Sequence, residues 1–416
     1  MKFIALLKRN LLTILFTLFL IFLVVFSNNN LIAAKEGITL WATCVVPSLL
    51  PFFIATELLN YTNIAQILGK LLRPIMNPIF NVPGEGAYAL IMGFISGYPV
   101  GAKIVSDMYS NGILTKNEAE RMLCFTNNSG PLFIIGTVGI LLFGNTSIGV
   151  LLLVTHILSS ITIGFILNII SRAVNKYGFI SSKKYSSNLS SRADYSQKKS
   201  TLVNNSLVNK QIPIQNCRKK SSNISELGSI LGTSISNATS TIMLIGGFVV
   251  LFSVILSILN RLNLISIIST FFTKFHIPYD ISQSLISGII ELTNGVNLAG
   301  NVNSKNISTN IILSAFLLGF GGLSILLQVL SIISKHGLSI KTYFLGKIMQ
   351  GLIAALYTLL LVKNISIFNL DIPSIYATDL NSNFALTPFL IILISVFAFL
   401  IFNVQKKSNQ HKINCM

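Results

Sequence analysis

A lysine and a glutamate stand inside apolar sequence: Lys103 in GFISGYPVGAKIV and Glu291 in SLISGIIELTNGVNLAG. Charge at membrane depth is expensive, so such residues mark substrate or ion sites by default. Lys103 lies one turn beyond Pro99, which cannot continue a helix. A helix begun there would aim free N–H groups and its positive dipole end at the tip formed by Ser96, Gly97, Tyr98 and Gly101, which is the chemistry of an anion receptor. The run Thr126-Asn127-Asn128-Ser129-Gly130-Pro131 sets hydrogen-bonding side chains before a Gly-Pro break. Amides and hydroxyls both donate and accept, which suits carboxylates, ring nitrogens or bases equally. Glu291, with Thr293, Asn294 and Gly295 beside it, has three readings: an ion pair with Lys103 across the halves, uptake of a coupling proton or sodium ion, or a hydrogen bond to the opposing tip. Plainer roles stand beside these. Lys103 can pair with Asp107 four residues on or snorkel to the surface. Gly93, Gly97 and Gly101 have a spacing that lets helices approach closely. His156 reads as a structural hydrogen bonder, and Trp41 as an interfacial residue.

The elements that carry these residues are apolar. Of 416 residues, 52% are hydrophobic and 10% charged, against roughly 25% charged in soluble domains. The fold class expected is an all-α polytopic membrane protein. The net charge of +18 does not point to nucleic acid, because the basic residues lie between apolar spans in the positive-inside pattern. Crossings of ~30 Å of hydrocarbon are expected at 10–27, 38–59, 147–170, 239–260, 343–362 and 387–403. The first is read as a retained helix rather than a signal peptide, since Asn28-Asn29-Asn30 suits no cleavage site. Residues 62–82 read as an interfacial amphipathic helix, with 261–280 in the matching place of the second half. Residues 171–225, rich in Ser, Asn and Lys, read as a solvated cytoplasmic loop.

Between the crossings lie broken segments that match between halves. Residues 86–109 read as a re-entrant hairpin with its tip at Ser96–Gly101, followed by a crossing at 113–142 broken at Asn127–Gly130. Residues 281–300 and 306–333, broken at Gly319–Gly322, repeat that order. Placing both termini in the cytoplasm leaves Lys35, Arg261, Lys274, Lys305 and Lys363 outside and the other basic residues inside, which makes the repeats inverted. The expected organisation is a first helix and external loop (1–37), one repeat (38–170), the basic loop (171–225), a second repeat (226–362), and an external loop, last crossing and basic tail (363–416). Broken helices at matching positions of two halves are the sequence mark of a transporter's binding site, and irregular backbone at that depth must be buried or line a wet cavity.

No P-loop, GxSxG, HExxH or dinucleotide-binding glycine fingerprint occurs, and the four cysteines form neither a CxxC pair nor a metal spacing. An enzyme, a resident cofactor and a metal are not expected.

The run Trp41…Val46-Pro47-Ser48-Leu49-Leu50-Pro51-Phe52, then SGYPVGAK and LTKNEAERMLCFTNNSGPLFIIGTVG, with Glu291-Leu292-Thr293-Asn294-Gly295 later, resembles the YlbJ (SpoVV) family of sporulation integral membrane proteins. The resemblance covers nearly all the chain outside 171–225. It implies a nucleoside-recognition or Gate domain similar to the hairpins of concentrative nucleoside transporters. It also implies movement of dipicolinate, a small aromatic dicarboxylate, from the mother cell across the outer forespore membrane. The site residues are read from this sequence, not carried over. The expectation is a secondary transporter in which Lys103 and the hairpin N-terminus hold carboxylates, Asn127, Asn128, Ser129 and Gly130 orient the substrate, and Glu291 gates or couples. The lipid bilayer is the surrounding partner, and a homo-oligomer is allowed. A nucleoside transporter and a non-transporting sporulation scaffold remain as alternatives.

Overall fold

The computed structural model describes residues 10–186, 224–275, 277–301 and 307–362, and among them every regular element is helical. Helix α1 (Leu11–Val25) turns at Phe26 into α2, which runs unbroken over Ser27–Leu59. The external loop expected at 28–37 is therefore helix. Asn30 is buried and donates its side-chain amide to the Phe22 and Leu23 carbonyls at 3.0 and 3.3 Å, which satisfies a polar residue that sequence reads as a loop former. Within α2, Pro47 and Pro51 remove backbone donors. The chain answers with a π-helical turn at Trp41–Val45, and the Ser48 hydroxyl donates to the Cys44 carbonyl at 2.7 Å.

Helix α3 (Ile64–Ile75) has the amphipathic pattern expected of an interfacial element and ends in a π-turn at Met76–Phe80. The side-chain amide of Asn168 donates to the Ile79 carbonyl at 2.7 Å and closes that end.

The first hairpin is α4 (Gly86–Ser96) and α5 (Val100–Ser110), joined through Gly97, whose φ of +80° only glycine adopts freely, and a cis Tyr98–Pro99 bond. Helix α6 (Lys116–Thr126) begins at a reciprocal capping box between Thr115 and Glu118. It stops at Asn127, and after Pro131 the chain resumes and passes into the π-helical α7 (Phe133–Leu142). Helix α8 (Thr146–Ser186) and helix α9 (Ile224–Arg261) both extend into the segment expected to be loop; 187–223 lie outside the described residues.

The second half repeats the order. Helix α10 (Leu264–Thr273) precedes a hairpin of α11 (Tyr279–Ile290) and α12 (Leu292–Asn301), which hinges on an extended Glu291. Helix α13 (Ile307–Phe320) breaks at Gly321 and Gly322, both at positive φ, into α14 (Gly322–Ile333). Helix α15 (Lys341–Val362) closes the described chain. The crossing expected at 387–403 lies outside the described residues.

Among the described residues, five helices are long and apolar enough to cross a membrane: Ser27–Leu59, Thr146–Arg172, Leu227–Arg261, Ile307–His336 and Lys341–Val362. The packing exchanges between the halves. Helix α5 lies on α14 while α12 lies on α7, and α8 lies on α13 while α15 lies on α6. Each hairpin thus meets elements of both broken segments.

Candidate functional site

The first hairpin is built around one backbone group. A methyl added at Gly93 would sit 1.7 Å from the Thr126 carbonyl oxygen, and one at Gly101 would sit 2.1 Å from the same atom. Added at Gly97, it would sit 2.8 Å from the Gly130 nitrogen. The glycine spacing read as a close-packing device is one. It lets the hairpin straddle the last carbonyl of α6 and the start of the next helical stretch. The second half has the same contact: Gly322 lies against the Gly288 carbonyl and the Leu292 nitrogen, so its break also touches its hairpin tip. The arms of that hairpin pack through Gly295, where a methyl would sit 2.1 Å from the Gly288 α-carbon.

Polar side chains converge on the first break. Asn127, Asn128 and Ser129 are each at most 2% exposed. The Asn127 Nδ2 donates to the Tyr343 hydroxyl at 2.7 Å, and the Asn128 Nδ2 donates to the Phe125 carbonyl at 2.8 Å and the Ser160 hydroxyl at 3.1 Å. The Gln350 Nε2 donates to the Asn128 Oδ1 at 3.0 Å. The Lys347 amine donates to the Asn127 carbonyl at 3.0 Å and the Gln350 Oε1 at 2.7 Å. The Ser129 N–H, freed by the break, donates to the His156 Nε2 at 3.2 Å, so His156 is the structural hydrogen bonder its isolation suggested. Unwound backbone inside apolar packing survives here because side chains from α8 and α15 satisfy it. Among the described residues, the Asn127 Oδ1 and the His156 Nδ1 of this cluster have no hydrogen-bond partner.

The other sequence-chosen residues fall at varying distance from this cluster. Tyr98, at the hairpin tip, lies near Ser129, Glu291 and Tyr343. Ser96 is fully buried and hydrogen-bonds the Thr56 hydroxyl of α2. Lys103 pairs with neither Asp107 nor Glu291. Its amine lies 2.6 Å from the Glu57 Oε1 of α2, and the Glu57 Oε2 accepts from Asn237 at 3.2 Å. Glu57, itself inside apolar sequence, reaches the hairpin before Asp107 or Glu291 can.

Glu291 is 2% exposed, and its carboxylate turns inward on its own hairpin. The Oε2 accepts the Asn294 N–H at 2.7 Å and the Asn294 Nδ2 at 3.1 Å. Glu291 occupies the N-cap position of α12 and satisfies its first-turn donors. The Asn294 amide continues to Ser253 of α9 at 3.0 Å. The second break is less bare than its glycines suggest, since Ser324 and Gln328 are buried just beyond it and joined at 3.3 Å.

Sequence reading missed Tyr343, Lys347 and Gln350. They recur at helical spacing on one face of α15, a signal hidden because Lys347 stands near Lys341 at the start of the span and reads as a flanking charge. The same seam between α6 and α15 buries Cys124. Its thiol donates to the Thr342 carbonyl at 3.4 Å, and a methyl at Gly346 would sit 2.7 Å from the sulfur. No group of metal-ligating residues occurs among the described residues.

The geometry defines an all-helical integral membrane protein with two hairpin-and-broken-helix units and a polar cluster buried at a helix break. Residues 42–176, which hold the first hairpin and its break, match the Gate family, described as nucleoside recognition. The chain is 35% identical over 335 residues to the sporulation integral membrane protein YlbJ of Bacillus subtilis (strain 168), covering 80% of this chain and 77% of that protein. It belongs to the YlbJ family of sporulation integral membrane proteins. No solved structure matches it.

Proposed function

We propose that the protein is a secondary transporter that moves dipicolinate from the mother cell across the outer forespore membrane by alternating access. The observation that carries this reading is the cluster at the first break. Amide, hydroxyl, imidazole and amine groups from α6, α8 and α15 meet there at 1–2% exposure or less, inside helices apolar enough to span a bilayer. A scaffold has no use for such a cluster, which leaves polar atoms unpaired and holds a helix open. The exchange of packing partners between the halves supports two repeats related by a pseudo-two-fold axis, and the distribution of basic residues argues that the axis lies in the membrane plane, which makes the repeats inverted. In this reading both termini are cytoplasmic. Tyr98, Asn127, Asn128 and Ser129 line the substrate's position. Lys103, held by Glu57, ties the hairpin to α2 as a gate, and Glu291 fixes the opposing hairpin and couples its movement to a proton or sodium ion.

Uptake of labelled dipicolinate into proteoliposomes holding the full-length protein, with and without an imposed pH gradient, tests the proposal. Uptake above empty liposomes is expected. Its absence under both conditions rejects it. The Gate description favours a second reading, transport of a nucleoside. Competition by uridine against dipicolinate separates the two.

A further inference from the structure

Lys347 is 2% exposed, and the two groups its amine reaches, the Asn127 carbonyl and the Gln350 Oε1, are both neutral. The ion pairs among the described residues are Lys103 with Glu57 and Lys116 with Glu120, so no carboxylate answers Lys347. An ammonium has three donors, and the two bonds leave one unassigned. A buried cation without a counter-charge is costly, and the negative end of α6 at Asn127 returns only part of that cost. The neighbouring groups are suited to supply more donors. The Asn127 Oδ1 is without a partner while its Nδ2 faces the Tyr343 hydroxyl. Turning that amide over lets Tyr343 donate to the Oδ1 and presents the Nδ2 on the side now unpaired.

We propose that Lys347, with Asn127, is an anion site that takes one carboxylate of the transported solute, and that the solute reaches it when α15 parts from α6. This rests on the transport reading but names a different cation from the hairpin lysine. Lys103 already has a carboxylate at 2.6 Å, whereas Lys347 has none. Gln350 positions the amine by holding it at 2.7 Å and is itself fixed by Asn128.

The test is thermal stability of the purified full-length protein against increasing dipicolinate, picolinate (one carboxylate), chloride and neutral pyridine-2,6-dicarboxamide. Dipicolinate and picolinate should raise the unfolding temperature and the diamide should not. Lys347→Gln should abolish the shift, while Lys341→Gln, an exposed lysine on the same helix, should keep it. Gln350→Glu supplies the missing counter-charge internally, with loss of the donor to the Asn128 Oδ1, so it should weaken carboxylate binding at least tenfold. That variant keeps the test decisive where Lys347→Gln fails to fold. Carboxylate shifts of wild-type size in Lys347→Gln, unchanged affinity in Gln350→Glu, or no carboxylate shift in the wild type would each overturn the site. A wild type that answers picolinate but not dipicolinate, with loss in Lys347→Gln, would keep the site and reject dipicolinate as the solute.

Discussion

Gly93→Ala probes the contact on which the first break rests. The added methyl would lie 1.7 Å from the Thr126 carbonyl oxygen, whereas real contacts of that kind stay beyond 3.0 Å, so 3.0 − 1.7 = 1.3 Å of movement is required. The atom in the way is backbone and cannot rotate aside. The next residue, Asn127, is anchored through its carbonyl to Lys347 at 3.0 Å and through its amide to Tyr343 at 2.7 Å. Overpacking usually costs ~1–3 kcal/mol, and a backbone obstacle argues for the upper end. Alanine returns up to ~1 kcal/mol in helix propensity. The net expectation is about 2 kcal/mol of destabilisation, read as a fall of several degrees in the unfolding temperature of the detergent-solubilised protein. Gly232→Ala on α9 is the control: nothing lies within 4 Å of its added methyl, so propensity alone acts and the variant should gain up to ~1 kcal/mol. A Gly93→Ala protein that unfolds at or above the wild-type temperature would refute the packing argument.

Three further outcomes follow from the same contacts. His156→Leu leaves the buried Ser129 N–H without an acceptor and should cost ~1–3 kcal/mol; His156→Gln, which keeps an acceptor, should recover most of it in the same melt. Glu291→Ala removes the cap of α12 and should lose ~0.5–2 kcal/mol, with faster amide exchange at Asn294; wild-type exchange there would deny the capping role. A double-mutant cycle on Lys103 and Glu57 should return a coupling of at most ~1 kcal/mol, because the Lys103 side chain is 39% exposed and water screens the pair. A coupling beyond ~2 kcal/mol would mean that the pair is sealed from solvent.

The breaks were legible because Gly, Pro and Asn leave few alternatives in apolar sequence. Pro99 ends one hairpin arm, Gly-Pro at Gly130 marks the first break, and Gly321 with Gly322 marks the second. The polar run 126–130 also sits where its composition placed it. Pairing was not legible, because it depends on which helix lies alongside. Lys103 had Asp107 at helical spacing, yet Glu57, 46 residues away in sequence, holds it. Glu291 has three readings in the sequence, an ion pair with Lys103, a coupling site and a bond to the opposing tip, but the extended conformation at its own position turns it onto Asn294. Asn28-Asn29-Asn30 read as a loop, since the acceptors that keep Asn30 inside a helical bend are carbonyls of α1, which no local pattern reveals. Lys347 escaped for a related reason: a lysine near the start of a span is ordinarily a flanking charge.

The seam between α6 and α15 gives the molecule a clock of its own. Cys124 is fully buried beneath Gly346, and the surfaces that hide its sulfur also hide Lys347. A thiol reagent can meet Cys124 only in the moments when those helices stand apart. Read at the peptide that carries Cys124, apart from the three other cysteines, its alkylation rate then counts seam openings, and a solute that holds the seam shut would stop the count.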